Sequence, residues 1–182
     1  VDGGNNEKKL SGAEFSVTPV EGSKFANGST ETKVLTTDEE GTDSLVADLV
    51  VGSSYTIEET KAPDGYTKID GSMTITVQEN GSICIAEGTT APSQFVISDD
   101  GTVQVFTGTV TNDPTELTLN KIDSTTNQAL AGAKFELTGK FANGSTSQTL
   151  DAATDSAVQL DKALLIADGK TQYTLTETGA PG

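Results

Sequence analysis

The sequence predicts an all-β chain folded as two tandem sandwiches, and three observations carry that prediction. Val, Thr, Ile and Tyr dominate its periodic segments, which alternate with the two-residue period of a strand. Its punctuation is Asn-Gly, Asp-Gly and Glu-Gly, dipeptides suited to tight turns. The chain also repeats itself. Leu10-Ser-Gly-Ala-Glu-Phe15 returns as Leu130-Ala-Gly-Ala-Lys-Phe135, and Lys24-Phe-Ala-Asn-Gly-Ser-Thr30 as Lys140-Phe-Ala-Asn-Gly-Ser-Thr146. Tyr55-Thr-Ile-Glu-Glu-Thr60 returns as Tyr173-Thr-Leu-Thr-Glu-Thr178. Three matches in one order divide the chain into domains at 1–113 and 114–182.

In the first domain the alternation predicts strands near Ala13–Thr18, Glu31–Leu35, Leu45–Asp48, Ser54–Glu59, Ser72–Gln78, Ser82–Ile85, Gln94–Ile97 and Val103–Thr111. Turns at Glu79-Asn80-Gly81 and Asp99-Asp100-Gly101 fit tight hairpins, and Asn112-Asp113-Pro114 ends the domain. In the second domain, strands are predicted at Glu116–Ile122, Ala133–Leu137, Ala157–Leu160, Ala163–Ile166 and Gln172–Glu177. No convincing amphipathic helix appears, and Leu160–Ala167 alone has an ambiguous pattern.

Composition narrows the function. A net charge of −16 and a pI near 4.1 leave no basic patch for nucleic acid. No apolar run approaches the length that spans a membrane, and no signal peptide is visible. Val1 is not a natural start, so the sequence reads as a trimmed fragment. With Cys84 as the single cysteine, no intramolecular disulfide can form, although richness in Thr, Ser, Gly, Asn and Asp has an extracellular character. Small secreted domains need a staple to supplement a thin core, and here it must be something other than a disulfide or zinc. The absence of histidine rules out Ser-His-Asp and Cys-His catalysis.

The stretch Tyr55–Tyr66 organises the rest. Alternation puts Tyr55, Ile57 and Glu59 on one face of a strand and Thr56 and Glu58 on the other, before Ala62-Pro63-Asp64-Gly65 turns the chain. A carboxylate on an apolar face is costly to bury without a partner. Glu59, and Glu177 in the second copy, are therefore the candidate functional carboxyls, with Glu58 facing outward. Lys121 and Asn112 have plain readings as a solvent-facing lysine and a turn residue. Thr37–Asp43 is acidic but lacks the oxygen spacing of an EF-hand, so it reads as a solvated hairpin. Asn27, Asn80 and Asn143 lie in Asn-Gly-Ser sequons that read as turns, and Cys84 reads as a packed or half-exposed strand residue.

Taken together, the sequence resembles the Cna-B-type, SpaA-like pilin domains of Gram-positive surface proteins. The matching features are Leu-Thr-Leu-Asn-Lys121-Ile-Asp, the Leu-x-Gly-Ala-x-Phe segment, the Tyr-x-Ile/Leu-x-Glu-Thr-x-Ala-Pro-x-Gly-Tyr "E-box" (cut short at Gly182 in the second copy), and Val-Thr-Asn112. The resemblance implies tandem immunoglobulin-like or transthyretin-like sandwiches whose first and last strands are joined by a Lys–Asn isopeptide bond. It assigns Glu59 and Glu177 as promoters, Lys121 as a nucleophile and Asn112 as an acceptor. The lysine of the first copy would lie one residue before Val1, and the second copy stops before its asparagine.

The implied role is a structural stalk or shaft module, extracellular and anchored to the bacterial cell wall, whose partners are neighbouring domains or pilin subunits. Such a module needs no cofactor and no metal, and it is not a turnover enzyme. Two alternatives stand beside it. One is an adhesin module whose loops bind host glycan or matrix protein, with Glu87–Ser98 as the interrupting loop; the other is a eukaryotic extracellular immunoglobulin-like module.

Overall fold

The computed structural model describes residues 1–5, 7–45, 47–99, 106–152 and 157–181. The chain divides into two units, Val1–Pro63 with Thr67–Asp113, and Asp64–Tyr66 with Pro114–Gly182. Both are built from antiparallel strands.

In the first unit, β1 (Glu14–Pro19) ends at a proline, which cannot donate to a ladder. It lies between β2 (Lys33–Thr36) and β3 (Ser54–Lys61), and β4 (Ser72–Val77) and β5 (Ile83–Ile85) complete a sheet of order β2-β1-β3-β4-β5. Strict alternation in β4 buries Met73, Ile75 and Val77. Ser72, Thr74 and Thr76 are left on the other face, where Ser54 pairs with Thr76 and Thr56 with Thr74 through their hydroxyls. A hairpin of β6 (Phe95–Asp99) and β7 (Phe106–Val110) forms the second layer. Its Phe95 meets Phe15 edge-on at 6.4 Å, closing a core that includes Val17, Phe25 and Tyr55.

In the second unit, β8 (Thr118–Leu119) pairs with β11 (Val158–Gln159), and β9 (Lys134–Thr138) lies between β10 (Ser147–Asp151) and β12 (Thr174–Gly179). Phe135, Leu137, Phe141, Leu150 and Leu160 fill its core. Within this unit the Thr115 N–H donates to the Gly65 carbonyl at 2.8 Å, which ties Asp64–Tyr66 to it.

The repeat is reproduced in register. Phe15 faces Glu59 across β1 and β3, and Phe135 faces Glu177 across β9 and β12. The register then slips by one residue in both, placing Glu14 opposite Lys61 and Lys134 opposite Gly179.

Several expectations need correction. In place of the strand expected at Leu45–Asp48, Ala47 and Asp48 lie in a turn, the Asp48 N–H donates to the Leu45 carbonyl at 2.8 Å and Leu45 packs on the core, while position 46 lies outside the described residues. Ala163–Ile166 is irregular because Ala163 takes a φ of 60°, which a strand cannot accommodate. Glu116–Ile122 contracts to two strand residues, with Ile122 kept in an isolated bridge to Ala129. Strand β10, the counterpart of β2, adds to the strands the pattern predicts, because Ser-Gln-Thr-Leu-Asp offers it only one apolar residue. The start of the expected Val103–Thr111 strand, and the Asp100-Gly101 corner, lie outside the described residues.

Candidate functional site

Inward alternation along β3 carries the Glu59 side chain into the first unit, where the residue is 0% exposed. Asn112 follows β7, is 2% exposed, and runs parallel to the first segment. Its N–H donates to the Val1 carbonyl at 3.0 Å, and its carbonyl accepts the Gly3 N–H at 2.8 Å. The two side chains meet: Asn112 Nδ2 lies 2.9 Å from both Glu59 Oε1 and Glu59 Oε2. The chain leaving the Pro63 turn completes the arrangement. The Ile69 N–H donates to Glu59 Oε2 at 2.8 Å, and the Thr67 carbonyl accepts from Asn112 Nδ2 at 3.1 Å.

Burial holds the Glu59 carboxyl above its ordinary 4.5, since loss of water penalises the anion. The Ile69 and Asn112 hydrogen bonds, then the charges of Lys68 and the Val1 amino group, pull the other way without cancelling that effect. The Val1 amino group donates to the Val110 carbonyl at 2.6 Å, and its own pKa is lowered by burial first and by Lys9 second. Glu58 is exposed, with Lys68 Nζ 3.8 Å from its Oε1, so the parity argument separates the two glutamates correctly.

In the second unit, Lys121 Nζ lies 2.9 Å from Glu177 Oε2. The pairing of these two predicted residues is present, but the expectation of an inward, buried Glu177 is not met. The side chains are 31% and 36% exposed. In the first unit, Glu59 is covered by Thr67–Ile69 and by Asn112. Among the described residues, none takes those places over Glu177, and water reaches it.

Sequence reasoning named Glu59, Asn112, Lys121 and Glu177 but missed Thr67 and Ile69. Both act through backbone groups, which leave no mark in residue identity. No group of His, Cys, Asp or Glu among the described residues could hold a metal ion. In the acidic loop, the Asp38 carboxylate instead accepts from the Glu40 and Thr42 N–H groups, each at 3.0 Å. Asn27, Asn80 and Asn143 each accept the N–H of the serine two residues on, as turn asparagines do. Cys84 is half-buried beside the Gln78 amide at 2.9 Å.

Register and site together define a class of protein: tandem all-β sandwiches in which one strand sets a carboxyl against an amide in one copy and an amine in the other. The family model of the SpaA prealbumin-like fold domain matches residues 2–91 and again 115–182, and the chain belongs to that family. Among solved structures, the chain is similar to a C-terminal fragment of the pilus adhesin SpaC from Lactobacillus rhamnosus GG. Identity there is 23%, with 94% of this chain and 68% of that one covered, at a TM-score of 0.47. It is also similar to the Bacillus anthracis TIE protein, at 21% identity and a TM-score of 0.45, covering 100% of this chain and 28% of that one. A shaft pilin SpaA variant from Lactobacillus rhamnosus GG matches at 18% identity and a TM-score of 0.38, with 96% and 80% covered. Comparison with curated proteins finds no match.

Proposed function

We propose that the chain is a structural stalk or shaft module of a Gram-positive cell-wall-anchored surface or pilus protein, with domains at 1–113 and 114–182. Each sandwich is closed by an autocatalytic Lys–Asn isopeptide bond, promoted by Glu59 in the first and Glu177 in the second. Family membership supports the setting. The observation that carries the chemistry is the buried Glu59 carboxyl, both of whose oxygens lie 2.9 Å from Asn112 Nδ2.

That nitrogen is the leaving group. A neutral lysine amine attacks Asn112 Cγ, the new C–N bond forms, the Cγ–Nδ2 bond breaks, and Nδ2 departs as ammonia with a proton taken from the amine. Glu59 is placed to relay that proton, and burial keeps its carboxyl closer to the protonated form. Folding supplies proximity, worth about 7–11 kcal/mol in well-oriented cases. In the repeat alignment Asp2 matches Asp123 and Val1 matches Ile122, so the test below supplies a lysine in the register of Lys121. The paired turns agree with that alignment: the Asp2 N–H bonds the Lys8 carbonyl as the Asp123 N–H bonds the Gln128 carbonyl. In the second domain, Lys121 is the nucleophile.

The test is an intact mass. The segment Leu117–Lys121 is copied ahead of Val1, and the purified chain is weighed. A mass one ammonia lighter than its sequence is expected, with the full mass restored by Glu59→Ala. A full mass in the unsubstituted chain, with the fold intact by circular dichroism, rejects the mechanism.

The alternative reading, an adhesin module, fits the same family setting. Its proposed loop, Glu87–Ser98, is in its second half the strand β6, with Phe95 buried in the core.

A further inference from the structure

We propose that Lys68 is a positioning residue for Glu59, fixing the backbone of β3 at that residue and setting a positive charge beside its carboxyl. This inference rests on the reading of Glu59 as the promoter, but its test reads Glu59 itself and needs no bond to form.

Three consecutive residues make the argument. Thr67 faces Asn112, accepting from its Nδ2 at 3.1 Å, and the Thr67 N–H donates to the neighbouring Asp113 carbonyl at 2.9 Å. Ile69 is buried and donates its N–H to Glu59 Oε2 at 2.8 Å. Between them, Lys68 Nζ donates to the Glu59 backbone carbonyl at 3.2 Å. This short segment therefore holds the acceptor amide, the promoter carboxyl and the promoter backbone in one frame.

A lysine at the middle position adds what its neighbours cannot supply. Its side chain reaches back to β3, where Nζ meets the Glu59 carbonyl and lies 3.8 Å from the Glu58 carboxylate. It thus stays half-exposed while resting on the backbone of the residue whose carboxyl has lost its water. Among the described residues, other charged groups on the elements packed here are the Val1 amino group and the buried Asp2 on the first segment, Glu58 and Lys61 on its own strand, and Glu14 on β1, which pairs with Lys61 at 3.7 Å. Lys68 and the Val1 amino group both favour the Glu59 anion, after the larger effects of the Ile69 and Asn112 hydrogen bonds. The contribution of Lys68 is to a balance: burial favours the protonated promoter, and the Lys68 charge adds to the Ile69 and Asn112 hydrogen bonds that oppose it.

The experiment follows the Glu59 carboxyl resonance by carbon-13 NMR across pH in the 182-residue chain and in three variants. Lys68→Gln keeps a hydrogen-bond donor and loses the charge, Lys68→Met loses both, and Lys68→Arg keeps both. The Glu59 midpoint is expected to move to higher pH in Lys68→Gln and Lys68→Met, and to stay near its original position in Lys68→Arg. Amide spectra report whether each variant remains folded, and one folded neutral variant is sufficient. An unmoved midpoint in a folded neutral variant, or the same upward move in Lys68→Arg, overturns the proposal. If the isopeptide chemistry failed while these shifts appeared, Lys68 would still position Glu59 and only the promoter role would fall.

Discussion

Glu59 is under two opposing influences, and their balance sets a pH dependence. Burial raises its folded-state pKa above 4.5, so between the unfolded and folded values the native state binds more protons than the unfolded chain. The term is therefore harmless below the unfolded value and costs stability as pH rises through the raised folded value. Glu59→Gln removes it. Urea unfolding is expected to show Glu59→Gln gaining on the unsubstituted chain as pH climbs from the acid side of 4.5 to neutrality, and a constant difference would contradict this. At this scale the sequence was informative where side chains carry the chemistry. Parity alone separated Glu59 from Glu58. It could not reveal the Thr67 carbonyl or the Ile69 N–H, because backbone groups are common to every residue. It also predicted the wrong environment for Glu177, since alternation says which face a side chain takes and not what covers that face.

At the scale of elements, the repeated heptapeptide Lys-Phe-Ala-Asn-Gly-Ser-Thr has a physical explanation. Its phenylalanine packs on the E-box tyrosine, Phe25 against Tyr55 at 5.3 Å and Phe141 against Tyr173 at 5.1 Å. Its asparagine accepts the serine N–H, and its glycine takes a φ of 82° in the first copy and 81° in the second. The tyrosine hydroxyl then locks the corner: Tyr55 donates to the Lys24 carbonyl and accepts from the Val50 N–H, as Tyr173 does with Lys140 and Ile166. Tyr55→Phe removes the buried hydroxyl that pairs with the Lys24 carbonyl and the Val50 N–H, a loss of about 1–3 kcal/mol measurable by chemical denaturation. Tyr173→Phe is expected to cost less, because Tyr173 is only half-buried and water can replace its hydroxyl. The same repeat could have located β10 by analogy with β2, although the polar Ser147–Asp151 shows no alternation of its own. Ala163–Ile166 departs from the expected strand because an apolar run signals burial and does not by itself distinguish a strand from a packed loop.

At the scale of the whole molecule, 27 acidic residues against 11 basic ones make self-repulsion a general cost of folding at neutral pH. Added monovalent salt is expected to raise the unfolding temperature by screening it; a fall would show that the surface ion pairs outweigh the repulsion. The all-β class was legible throughout because period-two patterning and turn dipeptides agree in both copies. The proposed stalk role depends on covalent closure, since a bond between the first and last strands of a sandwich carries tension past its hydrogen-bonded ladders. Peptide mapping by tandem mass spectrometry tests that claim most directly, applied to the chain with Leu117–Lys121 copied ahead of Val1. The account predicts one branched peptide in which the added lysine is joined to Asn112, absent when Glu59 is replaced by Ala. Recovery of the lysine and Asn112 peptides as separate, unmodified fragments from the folded chain would contradict it.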